Sequence, residues 1–248
     1  MLGVGVEHDA DEAPVHSQRA QPLQGAALVK TDLMFVGAHP DDETFLVGGL
    51  LAMAAGNGQR VACVTATKGE AGVQDALRWP AETLGETRAT ELGKALEILG
   101  VGNHQWLDYP DGGCAAVSES EVVDRLTKII NDFKPDTIIT FPPDGLTGHD
   151  DHVAVSAWAV SAAARAEMPT NVWYAVHTEE VYNAAFKGIH DTMNVYFNID
   201  MPKFVPQSAC DIALELPDEI LDKKLAALKS MPSQYEAFFN GITPQDAE

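Results

Sequence analysis

Side chains that can hold a metal ion or move a proton are concentrated in one short stretch of the chain. His39, Asp41, Asp42 and Glu43 fall within "HPDDE", directly after an apolar run and directly before a predicted apolar helix. His39 and Asp42 are three positions apart across this turn, so both side chains can converge on one point. A second group of the same kind, "GHDDH" at 148–152, follows a later apolar run.

The two groups together offer the donor set of a hydrolytic metal site. His39, Asp42 and one histidine of the second group, His149 or His152, would give two imidazoles and one carboxylate. That set suits Zn²⁺ with an open position for water, and bound zinc lowers the pKa of water to about 7. A neighbouring free carboxylate could then accept the released proton.

Two alternatives stand beside this interpretation. Each group alone could cap a helix, as aspartates before helices often do, but two such groups at strand ends favour a site. The same donor set also forms the facial triad of non-haem Fe(II) enzymes. The residues alone leave that alternative open.

Apolar runs alternate along the chain with segments of helical periodicity, which predicts an α/β fold. The sheet of such βαβ units is mainly parallel, and ligands bind beyond the carboxyl ends of its strands. We therefore expect a single Rossmann-like domain, a mainly parallel sheet flanked by helices, with both groups at one edge. The predicted strands lie within 32–38, 60–69, 104–113, 136–145, 171–178 and 194–200, and the predicted helices within 43–58, 81–100, 118–133, 150–166 and 219–231.

The charge balance is strongly acidic, with 37 Asp and Glu against 16 Lys and Arg and a formal net charge of −21. Such a field repels phosphate backbones and anionic lipid, so we expect neither nucleic acid nor a membrane as partner. Three cysteines without a CxxC pair indicate reduced thiols and a cytoplasmic protein. Residues 1–28 lack the pattern of a signal peptide. Their composition predicts a flexible acidic and polar tail before one folded domain, 29–248.

Several motifs occur together in the order of a known family. "AHPDDE" at 38–43 combined with "GHDDH" at 148–152 resembles the LmbE-like, or PIG-L, family of metal-dependent N-deacetylases. The resemblance covers roughly residues 31–160. The supporting segments are "TKGEAG" at 67–72, "RATELGKALEILG" at 88–100, "YPDG" at 109–112 and, near the end, "KLAALKSMPSQ" at 224–234.

The resemblance implies a role for each polar residue of the two motifs. Asp41 would be the general base, His149 the proton donor or oxyanion stabiliser, and Asp151 a residue that orients an imidazole. A ligating carboxylate is a poor base because the cation lowers its pKa, so dividing the adjacent acids into ligand and base is reasonable. The implied ligands of the zinc ion are His39, Asp42 and His152.

Two further residues match substrate contacts of the family, Arg88 and, within "YPDG", Asp111. For Arg88 the alternative is an ion pair with Glu86 or Glu91 on the surface of the helix. Glu43 is expected behind the metal ligands or as an acid favoured in the first turn of the helix.

Two positions depart from the family pattern. Asp150 stands where the family often has proline, and we expect little effect on the metal. Met231 stands where the family commonly has a histidine, so no substrate contact is carried over to that place.

The implied function is zinc-dependent hydrolysis of an acetyl or other small acyl amide. The expected substrate is a small-molecule N-acetylated sugar or sugar conjugate of the N-acetylglucosamine type, and a homo-oligomer is possible. The alternatives are the Fe(II) enzyme and a non-catalytic sugar-binding module of the same fold.

Overall fold

A computed structural model describes residues 5–8, 33–193, 195–196, 198–199, 201 and 203–240 of the chain. The strands are β1 (Gly5–His8), β2 (Leu33–Gly37), β3 (Val61–Thr67), β4 (Asn103–Tyr109), β5 (Thr137–Thr140), β6 (Asn171–Val176) and β7 (Ile212–Ala213). The helices are α1 (Asp42–Gly56), α2 (Ala81–Leu99), α3 (Glu119–Phe133), α4 (Asp150–Ala164), α5 (Glu179–Val181), α6 (Lys187–Met193), α7 (Asp218–Lys229) and α8 (Pro232–Phe239). A π-helical turn joins α5 to α6 at Tyr182–Phe186, and 3-10 turns lie at Cys114–Ala116 and Gln207–Ala209.

The strands form one sheet in the order β4-β3-β2-β5-β6-β1-β7. The first five of these run parallel, whereas β1 is antiparallel to both β6 and β7. At the centre, Phe35 of β2 lies opposite Cys63 of β3 and Ile139 of β5. Every residue of β2, β3 and β5 is buried, which explains why these strands are continuous apolar runs. The prediction of a mainly parallel sheet flanked by helices is confirmed.

The strand order reverses between β2 and β5. From β2 the chain builds outward through β3 to β4, then returns to form β5 and β6 on the other side. A sheet wound in this way has its ligand crevice beyond the carboxyl ends of the two strands at the reversal. Because β2 ends at Gly37 and β5 at Thr140, the segments with the two motifs leave the sheet side by side.

Helices cover the sheet and fix the ends of the site-bearing segments. α1, α2 and α7 pack together through an apolar cluster that includes Ala52, Leu99 and Leu228. α3 packs on α4, and α4 lies against β2, β5 and β6. α2 stops at Gly100, whose φ of 78° is a left-handed conformation that glycine adopts without strain. In the part of the chain that is described, no helix is long and apolar enough to span a membrane.

The strand predicted at 194–200 is wrong. Residues 195–196 and 198–199 form turns, and residues 194, 197 and 200 lie outside the described residues. The apolar side chains here fill a small cluster instead of pairing at a sheet edge, since Tyr196 is 1 % exposed and packs with Tyr182.

The C-terminal region also differs from the prediction. The single helix expected at 219–231 ends at Lys229, and Pro232 opens a new helix, α8. The residue before a proline is pushed out of the helical conformation, which accounts for the break at Met231. The two-residue strand β7 has too little sequence to carry a pattern.

Four residues of the expected N-terminal tail are not free. Gly5–His8 form a strand that pairs with β6 and β7, whereas the sequence predicts a flexible tail here. The pairing is possible because the edge of β6 presents backbone N–H and C=O groups to any extended segment. Residues 1–4 and 9–28 lie outside the described residues, so the boundary at residue 28 stays a prediction. The three cysteines lie within the described residues and form no disulfide there, and Cys63 and Cys114 are buried.

Candidate metal centre and active site

Three side chains from the two motifs form a small triangle at the reversal point of the sheet. Nδ1 of His39 lies 3.2 Å from Nε2 of His152 and 3.8 Å from Oδ2 of Asp42. The third side, from Nε2 of His152 to Oδ1 of Asp42, is 3.5 Å. Two ligands bound at about 2.1 Å to one tetrahedral ion lie about 3.4 Å apart. These separations are close to that value, with Asp42 facing His39 through Oδ2 and His152 through Oδ1, so the three side chains are candidates to hold one divalent ion.

The carboxylate of Asp42 is aimed by the turn between β2 and α1. Its Oδ2 accepts hydrogen bonds from the backbone N–H groups of Ala38, at 3.0 Å, and His39, at 2.7 Å. This contact closes the turn and leaves Oδ1 directed at His152. One side chain thus shapes the loop and supplies a donor.

The ring of His152 is held so that Nε2 is the free nitrogen. Its Nδ1 lies 3.0 Å from the carbonyl oxygen of Gly145, and because a carbonyl only accepts, Nδ1 carries the proton. The ring also stacks on Phe141, with centroids 4.0 Å apart. Burial lowers the pKa of His152 to about 4, so the ring is neutral and its Nε2 lone pair is available near pH 7.

His39 is held from its opposite edge by two carboxylates. Nε2 lies 3.0 Å from Oδ1 of Asp111 and 3.2 Å from Oδ2 of Asp151. Burial lowers the pKa of His39, but the hydrogen bonds to these two acids outweigh burial and raise it to about 10. His39, Asp111 and Asp151 form a second group close enough to hold a cation, besides the one made by His39, His149 and His152.

Asp41 stands beside the triangle without being part of it. Burial raises the pKa of its carboxyl group to about 6, against the lowering effect of Arg88. Its backbone φ is 134°, a conformation that a residue with a side chain rarely adopts. Such local strain often occurs at functional positions.

Arg88 is buried behind Asp41 and is 4 % exposed. Its Nη2 donates to the carbonyl oxygen of Pro40 at 2.7 Å and to Oδ2 of Asp41 at 3.2 Å, and Nη1 donates to the carbonyl oxygen of Gly69 at 2.7 Å. The alternative of a surface ion pair is wrong, since Glu86 pairs with Lys68 and Glu91 accepts from Ser233. The guanidinium instead ties two loops to the carboxylate of Asp41.

His149 caps helix α4 at the rim of the triangle. Its Nδ1 accepts a hydrogen bond from the backbone N–H of Asp151 at 3.1 Å, which places its proton on Nε2. Its ring lies edge-on to His39, with centroids 4.7 Å apart. The geometry therefore brings His149 close enough to join the donor set, as well as to face a ligand.

Asp151 and Asp111 are both drawn to His39. Asp151 is fully buried, and burial, which raises the pKa of its carboxyl group, is outweighed by hydrogen bonds from His39, Gly112 and Cys114, so that the pKa falls to about 2. Asp111, expected at the substrate, has its side chain 7 % exposed against His39. The imidazole that Asp151 orients is thus that of His39.

Some contacts of the site could not be read from the motifs. Glu43 is 1 % exposed, with Oε1 2.5 Å from the hydroxyl of Thr44 and Oε2 3.3 Å from the backbone N–H of Asp41. Glu70 accepts from the backbone N–H of Asp111 at 3.0 Å. The motif "TKGEAG" points to the loop that contains Glu70, but its spacing does not predict that Glu70 accepts a hydrogen bond from Asp111.

The sheet, with His39, Asp42 and His152 where its strand order reverses, defines an α/β protein with a candidate metal centre. The sequence model of the PIG-L family, described as GlcNAc-PI de-N-acetylase, matches residues 34–163, and the chain belongs to this family. It is 30 % identical over 234 residues to the 1D-myo-inositol 2-acetamido-2-deoxy-alpha-D-glucopyranoside deacetylase of Mycobacterium sp. (strain KMS), covering 84 % of this chain and 76 % of the relative. It is 28 % identical over 226 residues to the protein of that name from Saccharomonospora viridis, covering 82 % and 84 % of the two chains.

A solved structure shares the fold. The N,N'-diacetylchitobiose deacetylase from Pyrococcus horikoshii superposes with a TM-score of 0.59 at 21 % identity, covering 85 % of this chain and 75 % of that one.

Proposed function

We propose that this protein is a zinc-dependent N-deacetylase that hydrolyses the acetyl amide of an N-acetylglucosamine-type sugar or sugar conjugate. The observation that carries the proposal is the triangle of His39, Asp42 and His152 together with the adjacent acid of the same turn, Asp41, which Arg88 holds. The names of the relatives, which are deacetylases of acetamido sugars, support the substrate class.

His39, Asp42 and His152 would hold the ion. His39, whose pKa of about 10 keeps it protonated without a metal, would release its Nδ1 proton on binding. The resulting set of two imidazole nitrogens and one carboxylate suits zinc with a position left for water. When bound, zinc supplies a lowered pKa for water and polarises an acyl oxygen. His39 offers Nδ1 because Nε2 is engaged by Asp111 and Asp151.

Asp41 is the proposed general base. It neighbours Asp42 but uses neither oxygen to close the turn, so its carboxylate can take a proton from the attacking water. A pKa of about 6 is close to the value at which a base is both ionised and effective near neutral pH. Arg88 fixes the position of this carboxylate through Nη2.

His149 is the proposed donor to the substrate. The backbone N–H of Asp151 occupies its Nδ1, so Nε2–H is the group that can face the acyl oxygen as negative charge develops. A donor of this kind acts mainly in the transition state. The proton that Asp41 takes from water can then pass to the leaving amine.

The decisive experiment measures amine release and metal content together. Purified protein, metal-free and zinc-loaded, is incubated with N-acetylglucosaminyl-inositol and with N,N'-diacetylchitobiose, and free amine and acetate are quantified. We expect equal amounts of both products, only from zinc-loaded protein. Binding of sugar without release would favour the sugar-binding module, and consumption of oxygen with Fe(II) would favour the oxygenase. Cytoplasmic location and a homo-oligomer stay predictions.

A further inference from the structure

The Nε2 atom of His39 has two carboxylate neighbours where one would be enough to orient it. Oδ1 of Asp111 lies at 3.0 Å and Oδ2 of Asp151 at 3.2 Å. The side chains of both acids are shielded from solvent, with exposures of 7 % and 0 %. Neither contact belongs to the triangle on the Nδ1 side of the ring.

One short turn arranges both acids. This turn, residues 110–114, contains Asp111 itself. Its backbone N–H groups at Gly112 and Cys114 donate to Oδ2 and Oδ1 of Asp151, on helix α4, at 2.8 and 2.9 Å. The other oxygen of Asp111 accepts from the backbone N–H of Ala71 at 2.8 Å. Gly112 has a φ of 74°, which suits glycine and lets the turn fold back over Asp151. The turn therefore places one carboxylate directly and holds the second through its backbone.

This arrangement decides which nitrogen of His39 can bind a metal. Two anionic acceptors keep the proton on Nε2, so the nitrogen that can give up its proton to a metal is Nδ1, which faces Asp42 and His152. Carboxylates behind a ligating histidine fix its tautomer and its ring orientation and raise the basicity of the ligating nitrogen.

From this geometry we propose that Asp111 is a positioning residue for the metal ligand His39, acting together with Asp151. The inference rests on the metal site of the proposed function. Both oxygens of Asp111 are already engaged, one by His39 and one by Ala71.

A cation held directly by His39, Asp111 and Asp151 is the competing arrangement, since the three lie close enough together. Oδ2 of Asp151 accepts both from the backbone N–H of Gly112 and from Nε2–H of His39, which uses its two lone pairs and leaves none for such an ion. An ion there would also require Nε2 of His39 to lose its proton. It would not be bound by Asp42 and His152, which lie on the other side of the ring.

The test compares Asp111→Asn with wild type and with Asp108→Asn. Asp108 is an exposed acid three positions earlier on the same segment, so its variant removes the same charge without touching His39. Zinc stoichiometry and dissociation constant are measured by titration against a chelator of known affinity, and thermal melts of the three proteins check that each is folded. Loss of a carboxylate behind a ligand typically weakens metal binding by about 10- to 100-fold.

We expect Asp111→Asn to bind one zinc with an affinity reduced by that factor and Asp108→Asn to match wild type. A second readout is the ¹⁵N–¹H correlation of His39 in zinc-loaded protein, where the Nε2–H signal should shift in Asp111→Asn alone. Affinity within twofold of the control, with an unmoved signal, overturns the inference while leaving the proposed function intact. Complete loss of zinc at all concentrations would make Asp111 a ligand and also overturn it.

These outcomes separate the inference from the proposed function because they need no substrate. Zinc binding weakened by Asp111→Asn in a protein that releases no amine would uphold the inference and refute the deacetylase. Wild-type protein that binds no zinc would refute both.

Discussion

Nη2 of Arg88 lies 3.2 Å from Oδ2 of Asp41 and 2.7 Å from the carbonyl oxygen of Pro40. One nitrogen therefore holds both the proposed base and the residue before it in the chain. Because Nη1 donates to the carbonyl oxygen of Gly69, the guanidinium connects the loop after β2 with the loop after β3. Arg88 acts on Asp41 in this geometry, whereas the family resemblance gives it a contact to substrate.

Replacing Arg88 separates these two roles. Arg88→Met should lower kcat by about 100-fold, the effect of misplacing a catalytic group by about 1 Å, with KM nearly unchanged and zinc still bound. Arg88→Lys keeps the charge but not the two-loop contact, and should recover only part of the loss. A raised KM with unchanged kcat would instead assign Arg88 to the substrate.

Removing a ligand should empty the metal site. His152→Ala deletes one corner of the triangle, so zinc content measured by elemental analysis should fall from about one per chain to near zero. Asp150→Ala, at an exposed neighbouring position, is the matched control and should keep its zinc. Full occupancy in His152→Ala would refute the ligand set.

Asp41→Asn should retain zinc and lose turnover. Asparagine preserves the shape of the side chain and its contact with Arg88 but cannot accept a proton. The expected loss in kcat is about 100-fold or more, the usual contribution of a positioned base. Near wild-type kcat with zinc bound would require another base.

His149 has a structural and a chemical role that two variants can separate. His149→Ala removes both the cap of α4 and the donor, whereas His149→Asn keeps a side chain that can cap the helix. Both variants should retain zinc and lose kcat by about 100-fold, the effect of one donor to a developing oxyanion. Loss of zinc in both would move His149 into the ligand set, as its closeness to His39 and His152 allows.

Lys224 gives the stability of the protein a pH dependence. Its side chain is buried and 3 % exposed, and burial lowers its pKa from 10.5 to about 8. Below pH 8 the ammonium is charged in both the folded and the unfolded chain, so folding bears the full cost of burying it. Between pH 8 and 10.5 the folded chain loses the proton first, and this cost disappears as pH rises.

Lys224→Met should therefore raise the free energy of unfolding at pH 7 by about 3 kcal/mol, the equivalent of the lowered pKa, and by much less at pH 10.5. His177 lies close enough to be affected by Lys224, but its own pKa of about 4 keeps it neutral over this range. Urea unfolding at the two pH values provides the measurement, with the exposed neighbour Lys223→Met as control. An equal effect at both pH values would mean that packing, not charge, accounts for the change.

The position of the site could be predicted because it follows from local patterns. β2 and β5 are short apolar runs, and parallel strands bring their carboxyl ends to one edge. His39 and His152 follow these strands in the chain, so their approach to each other needed only the strand order.

The partners of the polar side chains could not be predicted, because they depend on turns that meet across long stretches of sequence. Asp111 reaches His39 because Ala71 and Gly112 fix its loop, and no spacing in the chain reports that approach. The strand predicted around Tyr196 is wrong for a related reason. An apolar alternation indicates that side chains are buried, but not whether a strand or a cluster outside the sheet buries them.

The φ of 134° at Asp41 makes conformation and chemistry compete at one residue. Glycine is the residue that this backbone favours, yet glycine has no carboxylate with which to take a proton. The same substitution that relaxes the turn would remove the proposed base. Selection of this chain for thermal stability alone would therefore favour loss of the proposed base at this turn, as expected where stability and activity oppose each other.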